Sequence, residues 1–194
     1  MEKRLLITGF DAFGGSAENP SWLAVAQLPE KIGCFTLKKR MLPTVYGKAA
    51  QVVLETAEDF RPHVILCVGV AAGRDAVTPE RIAVNIRDAR IADNEGNHPT
   101  GDPVAAEGPA AYFATVPVAA MAQAIRNAGI PGAVSNTAGS FVCNDTLYSL
   151  LHHFSGTDTR VGFIHVPAMP QQHAVSMPLA DTETALIAAI TACQ

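Results

Sequence analysis

Strand-like and helix-like segments alternate along almost the whole chain, and that alternation constrains the fold more than any other feature. Strands are expected at Arg4–Thr8, Phe35–Leu42, His63–Gly69, Arg81–Arg87, Ala111–Thr115, Gly132–Ser135 and Val161–Val166, from apolar or alternating runs bounded by turn formers. A first helix is predicted over Pro20–Leu28, with Asn19 as N-cap and Pro20 at the first helical position. A second is predicted over Thr44–Glu58, where Val45, Ala49, Val52, Val53 and Thr56 share one face. Pro117–Ala128 turns Val118, Met121, Ala122 and Ile125 inward before Gly129 ends it, and Thr182–Ala192 follows Asp181 as its cap. This order predicts an α/β fold: a three-layer α/β/α sandwich around a twisted, mostly parallel central sheet. With 194 residues, 48% hydrophobic and no shift in composition, the chain can bury one substantial core, so residues 1–194 are expected to form a single domain.

Charge and cysteine usage remove several function classes. The net charge of −4 is scattered, and the one basic cluster, Lys38-Lys39-Arg40, lies along a predicted strand as a solvated edge. A nucleic-acid binder presents a broader basic stripe, so no nucleic-acid partner is expected. No window approaches a membrane-spanning length and no apolar leader precedes the first strand, which predicts a cytoplasmic protein without a membrane partner. Cys34, Cys67, Cys143 and Cys193 form no Cys-x-x-Cys pair, which argues against a zinc site, and the first, second and fourth read as structural. Gly9 and Gly14 have the spacing of a phosphate loop, but Gly15 stands where its lysine belongs, and Gly-x-Gly-x-x-Gly is absent. No metal or other cofactor is expected.

Cys143 is the candidate nucleophile. It precedes Leu147, Leu150, Leu151 and Phe154, the spacing of one buried helix face, so its thiol is expected at a helix start. Unpaired backbone N–H groups and the positive end of the helix favour a thiolate there. A lone cysteine in such a chain is more often a small buried hydrophobe than a catalyst, and two further residues change the balance. His165 ends the apolar run Val161–Ile164 just before Pro167, at the rim of a sheet, where open α/β folds place their chemistry. Glu80 opens the alternating segment of Ile82, Val84 and Ile86. A thiol, an imidazole base and a carboxylate to fix the imidazole tautomer make a chemically complete set. His152 and His153 follow Cys143 by nine and ten residues on the same helix. That is a rise of about 13.5 Å or more, too far to serve the thiol.

The Gly9–Gly15 turn carries Phe10 and Phe13, which on their own read as a small cluster packed under the loop. The Asp88–Pro109 stretch has no clear periodicity and is rich in turn formers around Asp93–Pro99, a long loop of the kind that often serves function.

Ordered segments across nearly the whole chain resemble the type I pyroglutamyl peptidases, or pyrrolidone carboxyl peptidases. They are Leu6–Gly15 with Asn19–Trp22, Leu42–Tyr46, Gly73-Arg74 through Pro79–Asn85, Asp88–Asn94, Phe141–Asn144 and Phe163–Pro167. The sequence has Ala12 where that family usually has proline, and Val70 and Ala72 where many members have glutamine and glycine. The resemblance implies a cysteine exopeptidase, a hydrolase that removes N-terminal pyroglutamate from peptides through a thioacyl-enzyme. It implies Cys143, His165 and Glu80 as catalytic residues and Arg90 as a donor to the oxyanion. By sequence alone Arg90 suits a surface ion pair with Asp88 or Asp93. The resemblance further implies that Phe10, Phe13 and Phe141 line the substrate pocket and that the chain forms a homo-oligomer, a dimer or tetramer.

A flat, uncharged lactam suits an aromatic pocket with one or two hydrogen-bond partners, for which Asn19 or nearby backbone is the candidate. An ordinary ammonium terminus would be excluded, since burying its charge unpaired costs several kcal/mol. Two other readings use the same residues: a cysteine amidase acting on a related small lactam or γ-glutamyl amide, motivated by Val70, and a non-enzymatic binding module in which Cys143 is merely buried.

Overall fold

The computed structural model describes residues 2–194. In chain order the elements are β1 (Lys3–Phe10), α1 (Pro20–Gln27), β2 (Lys31–Ile32), β3 (Phe35–Leu42), α2 (Lys48–Phe60), β4 (Val64–Val70), β5 (Thr78–Pro79), β6 (Ile82–Val84), β7 (Arg87–Asp88), β8 (Thr100–Asp102), β9 (Ala111–Phe113), α3 (Val118–Asn127), α4 (Val142–His153), β10 (Arg160–Val166) and α5 (Leu179–Thr191). The main sheet has the order β2-β3-β1-β4-β10-β5. β3, β1, β4 and β10 run parallel, and the two-residue strands β2 and β5 close the edges antiparallel.

Strands buried on both faces need apolar side chains at every position, and alternation then sorts those side chains between two cores. Leu5, Ile7, Val64, Leu66, Val68, Ile164 and Val166 pack with α1, α3 and α5 on one face. Leu6, Ile65, Cys67, Val161 and Phe163 pack with α2 and α4 on the other. The expected α/β/α sandwich is therefore the one observed. Asn19 caps α1 as predicted, its side chain accepting from Ser21 N at 3.1 Å, with Pro20 in the first turn.

Several element boundaries differ from expectation. α2 begins at Lys48 rather than Thr44, because Gly47 at φ 71° takes a left-handed conformation that a helix cannot continue through. α5 begins three residues before Thr182; Pro178 is its N-cap and Asp181 lies inside the first turn, where it still favours the helix dipole. The single strand expected over Arg81–Arg87 is broken in two. β6 pairs with β9, whereas β7 pairs with β8 through an irregular register, so neither joins the main sheet. Gly132–Ser135 forms only isolated bridges, Val77 with Gly132 and Glu80 with Ser135.

The outer edge of β10 is finished by single residues as well as by β5. Thr115 N donates to Val161 O (3.0 Å), Thr115 Oγ1 accepts from Val161 N (2.7 Å), and Glu80 N donates to Phe163 O (2.9 Å). Register pairs Thr78 with His165.

Candidate active site

Alternation along β10 turns His165 to the same face as Val161 and Phe163, the face covered by α2 and α4. His165 stands level with Gly69 on β4. Cys143, second residue of α4, comes down onto that position from the helix side: a Cβ on residue 69 would lie only 2.9 Å from Cys143 Sγ. Cys143 therefore packs over the position on β4 that neighbours His165 on the adjoining strand. The α4 N-cap, Phe141, is extended and offers no side-chain acceptor, which leaves the first-turn N–H groups of the helix uncapped by any side chain.

His165 is 4% exposed and Glu80 0%. The two meet at 2.7 Å through Nδ1 and Oε1, so Nε2 is the ring nitrogen left for a reacting group. Arg74 reaches the same carboxylate oxygen: Nη1 lies 2.7 Å from Glu80 Oε1 and 2.5 Å from Thr78 Oγ1, and Nη2 donates to Thr137 O at 3.1 Å. Burial by itself would raise the Glu80 carboxyl. The hydrogen bond and charge of His165, the nearby Ser135 hydroxyl and Arg74 outweigh burial and hold it below the ordinary carboxylate range. Glu80 is therefore an anion, its charge shared between a histidine and an arginine.

The Cys143 thiol differs from the thiolate expected of a helix start. Burial first, and the Glu80 charge second, push it up to about 12, and the counteracting pull of Arg74 is smaller. At neutral pH the sulfur thus carries its proton, and it could act as a nucleophile only with a base to remove that proton. Cys67, wholly enclosed beneath it, is likewise pushed up to about 12, chiefly by burial, and is inert.

A cavity of about 650 Å³ opens over this pair, with Cys143 and His165 in its wall. Phe13, Asn19, Arg90 and Phe141 line it, as do Val70 and Ala72. Phe13 and Phe141 pack with centroids 5.1 Å apart, and Tyr46 meets Phe141 edge-on at 5.3 Å. Phe10 is a correction: it is 2% exposed and stands one layer back from the cavity, against Phe163 at 6.2 Å, while Phe163 touches the His165 ring at 4.8 Å. Arg90 is exposed and forms no ion pair among the described residues. Asp93, the partner sequence alone suggested for it, is instead held by Asn97, Tyr46 N and Glu95 N. Asn19 spends Oδ1 on Ser21 N and Oγ and one N–H on Asp11 O, so a single Nδ2 proton remains to offer a ligand.

Against known proteins, the sequence matches the family described as pyroglutamyl peptidase over residues 3–194. The chain belongs to that family. Its relatives include the pyrrolidone-carboxylate peptidase of Escherichia fergusonii, 49% identical over 97% of this chain and 93% of the relative. That of Bacillus cereus is 48% identical over 88% and 80%. Among solved structures, pyroglutamyl peptidase I from Bacillus amyloliquefaciens superposes with a TM-score of 0.95 at 42% identity, covering 99% of this chain and 97% of the other. A mutant pyrrolidone carboxyl peptidase from the hyperthermophile Pyrococcus furiosus gives 0.93 at 38%, covering 98% and 97%. Within this family framework, Gly69 and Arg74 are the two site residues that sequence reasoning gave no role. Their only signal was position: Gly69 ends an apolar strand, and Arg74 follows Gly73, whose φ of 88° makes the turn that aims it back.

Proposed function

We propose that this chain is a cysteine exopeptidase that hydrolyses N-terminal pyroglutamate from peptides. The observation that carries the reading is the pairing of His165 Nδ1 with a wholly buried Glu80, which leaves Nε2 free on a histidine that lines the same cavity as Cys143. Cys143 attacks the pyroglutamyl carbonyl as its S–H proton passes to Nε2; the S–C bond forms and the carbonyl becomes an oxyanion. First-turn N–H groups of α4 and the unpaired Arg90 guanidinium stabilise that charge. Collapse breaks the C–N bond, and the imidazolium returns the proton to the departing amine. Water then attacks the thioester, giving its proton to His165; the C–S bond breaks, the thiol is restored and free pyroglutamate leaves. Glu80 keeps the imidazole in the correct tautomer and supports its positive form.

Phe13 and Phe141 supply apolar faces for the lactam ring, and the remaining Asn19 proton suits the lactam carbonyl. An N-terminal ammonium in the same place would lose several kcal/mol of hydration with no partner. Residues 1–194 act as one catalytic domain, both cores being built on a single sheet. Among the described residues no helix is long and apolar enough to cross a membrane, and all four cysteines are free, which suits a reducing, cytoplasmic setting. A homo-oligomer, a dimer or tetramer, is the assembly that the family resemblance implies.

A panel of chromogenic amides tests the substrate. The pyroglutamyl amide is cleaved and its ordinary aminoacyl counterparts are not, and Cys143→Ala is folded but inert. Hydrolysis of other amides with none of the pyroglutamyl one would overturn the reading in favour of a different amidase.

A further inference from the structure

Glu80 meets both the imidazole and the guanidinium on one atom. Oε1 is 2.7 Å from His165 Nδ1 and 2.7 Å from Arg74 Nη1, while Oε2 has no hydrogen-bond partner among the described residues. Arg74 is itself over-determined. Gly73 turns the chain, Arg74 N donates to Ala71 O (3.2 Å), and the guanidinium fork spans Thr78 on β5 and Thr137 in the segment leading to α4. One side chain therefore ties together the loop after β4, the strand that delivers Glu80 and the approach to the nucleophile. The carboxylate's oxygen is divided between imidazole and guanidinium, so neither receives its full charge.

We propose that Arg74 is a positioning residue of this reaction: by sharing Glu80 Oε1 with the imidazole it fixes the carboxylate and takes up part of its charge, so that the ring is held with Nε2 free to act as base. The inference rests on the cysteine peptidase reading given above. The ionisable groups facing the imidazole are Glu80 and Arg74 from the loop and strand beside β10 and Cys143 from α4, with Glu18, Asp88, Arg90 and His173 around the same cavity. Of these, Arg74 alone forms an ion pair with the carboxylate that binds the ring. Without it the whole Glu80 charge falls on the imidazole. That favours imidazolium, so the base is lost to protonation at a higher pH.

In Arg74→Gln the acid limb of the kcat/KM profile on a chromogenic pyroglutamyl amide moves upward by about one pH unit, the shift expected when a charge within hydrogen-bond reach is removed. Arg74→Lys keeps a cation without the fork and brings the limb most of the way back. A purely structural role would lower stability and kcat in both variants and leave the limb in place; an unmoved limb in folded Arg74→Gln overturns the proposal. An NMR titration of the His165 ring, wild type against the two variants, gives the same comparison without turnover, so it stands even if the pyroglutamyl amide proves not to be a substrate. Should Arg74→Gln not fold, Arg74→Met and the Lys variant carry the titration, and identical His165 curves in wild type and variants refute the assignment.

Discussion

Replacing Gly69 by alanine adds one methyl group at the point where Cys143 meets the sheet. The backbone there is ordinary strand, so the substitution acts through contacts alone. The new Cβ would stand 2.9 Å from Cys143 Sγ, 2.9 Å from Phe163 Cζ and 3.0 Å from Phe163 Cε1. Ordinary contact is about 3.5–4.0 Å, so a neighbour must retreat by at least about half an ångström. Phe163 cannot retreat, being 0% exposed and wedged between Phe10 and His165. The sulfur has the cavity beside it and moves outward. Overpacking of this kind costs about 1–3 kcal/mol of stability. A nucleophile displaced by up to about 1 Å loses on the order of 100-fold in rate. Urea unfolding should therefore show a modest loss for Gly69→Ala, while kcat/KM on a pyroglutamyl amide falls far more than stability does. A variant with undiminished kcat/KM would show that the sulfur does not rest against residue 69.

Because burial and Glu80 push the Cys143 thiol up to about 12, the thiol is protonated at pH 7 and its thiolate fraction grows with pH. Iodoacetamide labelling of the folded protein should rise about tenfold per pH unit between pH 7 and 10, and a plateau already reached at pH 7 would reveal a preformed thiolate. Phe141→Ala removes the ring that packs on Phe13 and Tyr46. It should raise KM by about tenfold or more with a smaller change in kcat, as steady-state kinetics would show. Asp145→Ala breaks a wholly buried carboxylate's bonds to Arg87 Nε (2.6 Å) and Gly47 N (2.8 Å), orphaning both donors. Its cost of about 1–3 kcal/mol is measurable by urea unfolding.

The four parallel strands of the main sheet were legible because burial on both faces leaves near-continuous apolar runs, as in Val64–Val70. Cys143, His165 and Glu80 were legible as residue types suited to one another, and the fold brings them together across sequence separations that no local pattern encodes. The Arg81–Arg87 segment misled because alternation specifies a strand but not its partner; β9 claims its first half and β8 its end. β5 is two residues long and contains proline, so it gave no strand signal, yet it carries the chain straight into Glu80. Arg74 and Gly69 escaped for a related reason. Their meaning lies in what approaches them from afar: Thr137 lies 63 residues from Arg74, and Cys143 packs over Gly69 from a different layer.

The hydrogen bonds that finish the border of β10 have an implication for the molecule in a crowded cell. A bare parallel strand presents a ladder of free amides and carbonyls onto which a foreign chain can add itself. Here the positions where such an addition would begin are already taken by Thr115, Thr78 and Glu80, and the proline of β5 stops any extension beyond them. The peptide stretch that brings the carboxylate to the histidine thus also guards the protein against growth into a cross-strand aggregate. Mutations that loosen that stretch should reduce solubility together with turnover.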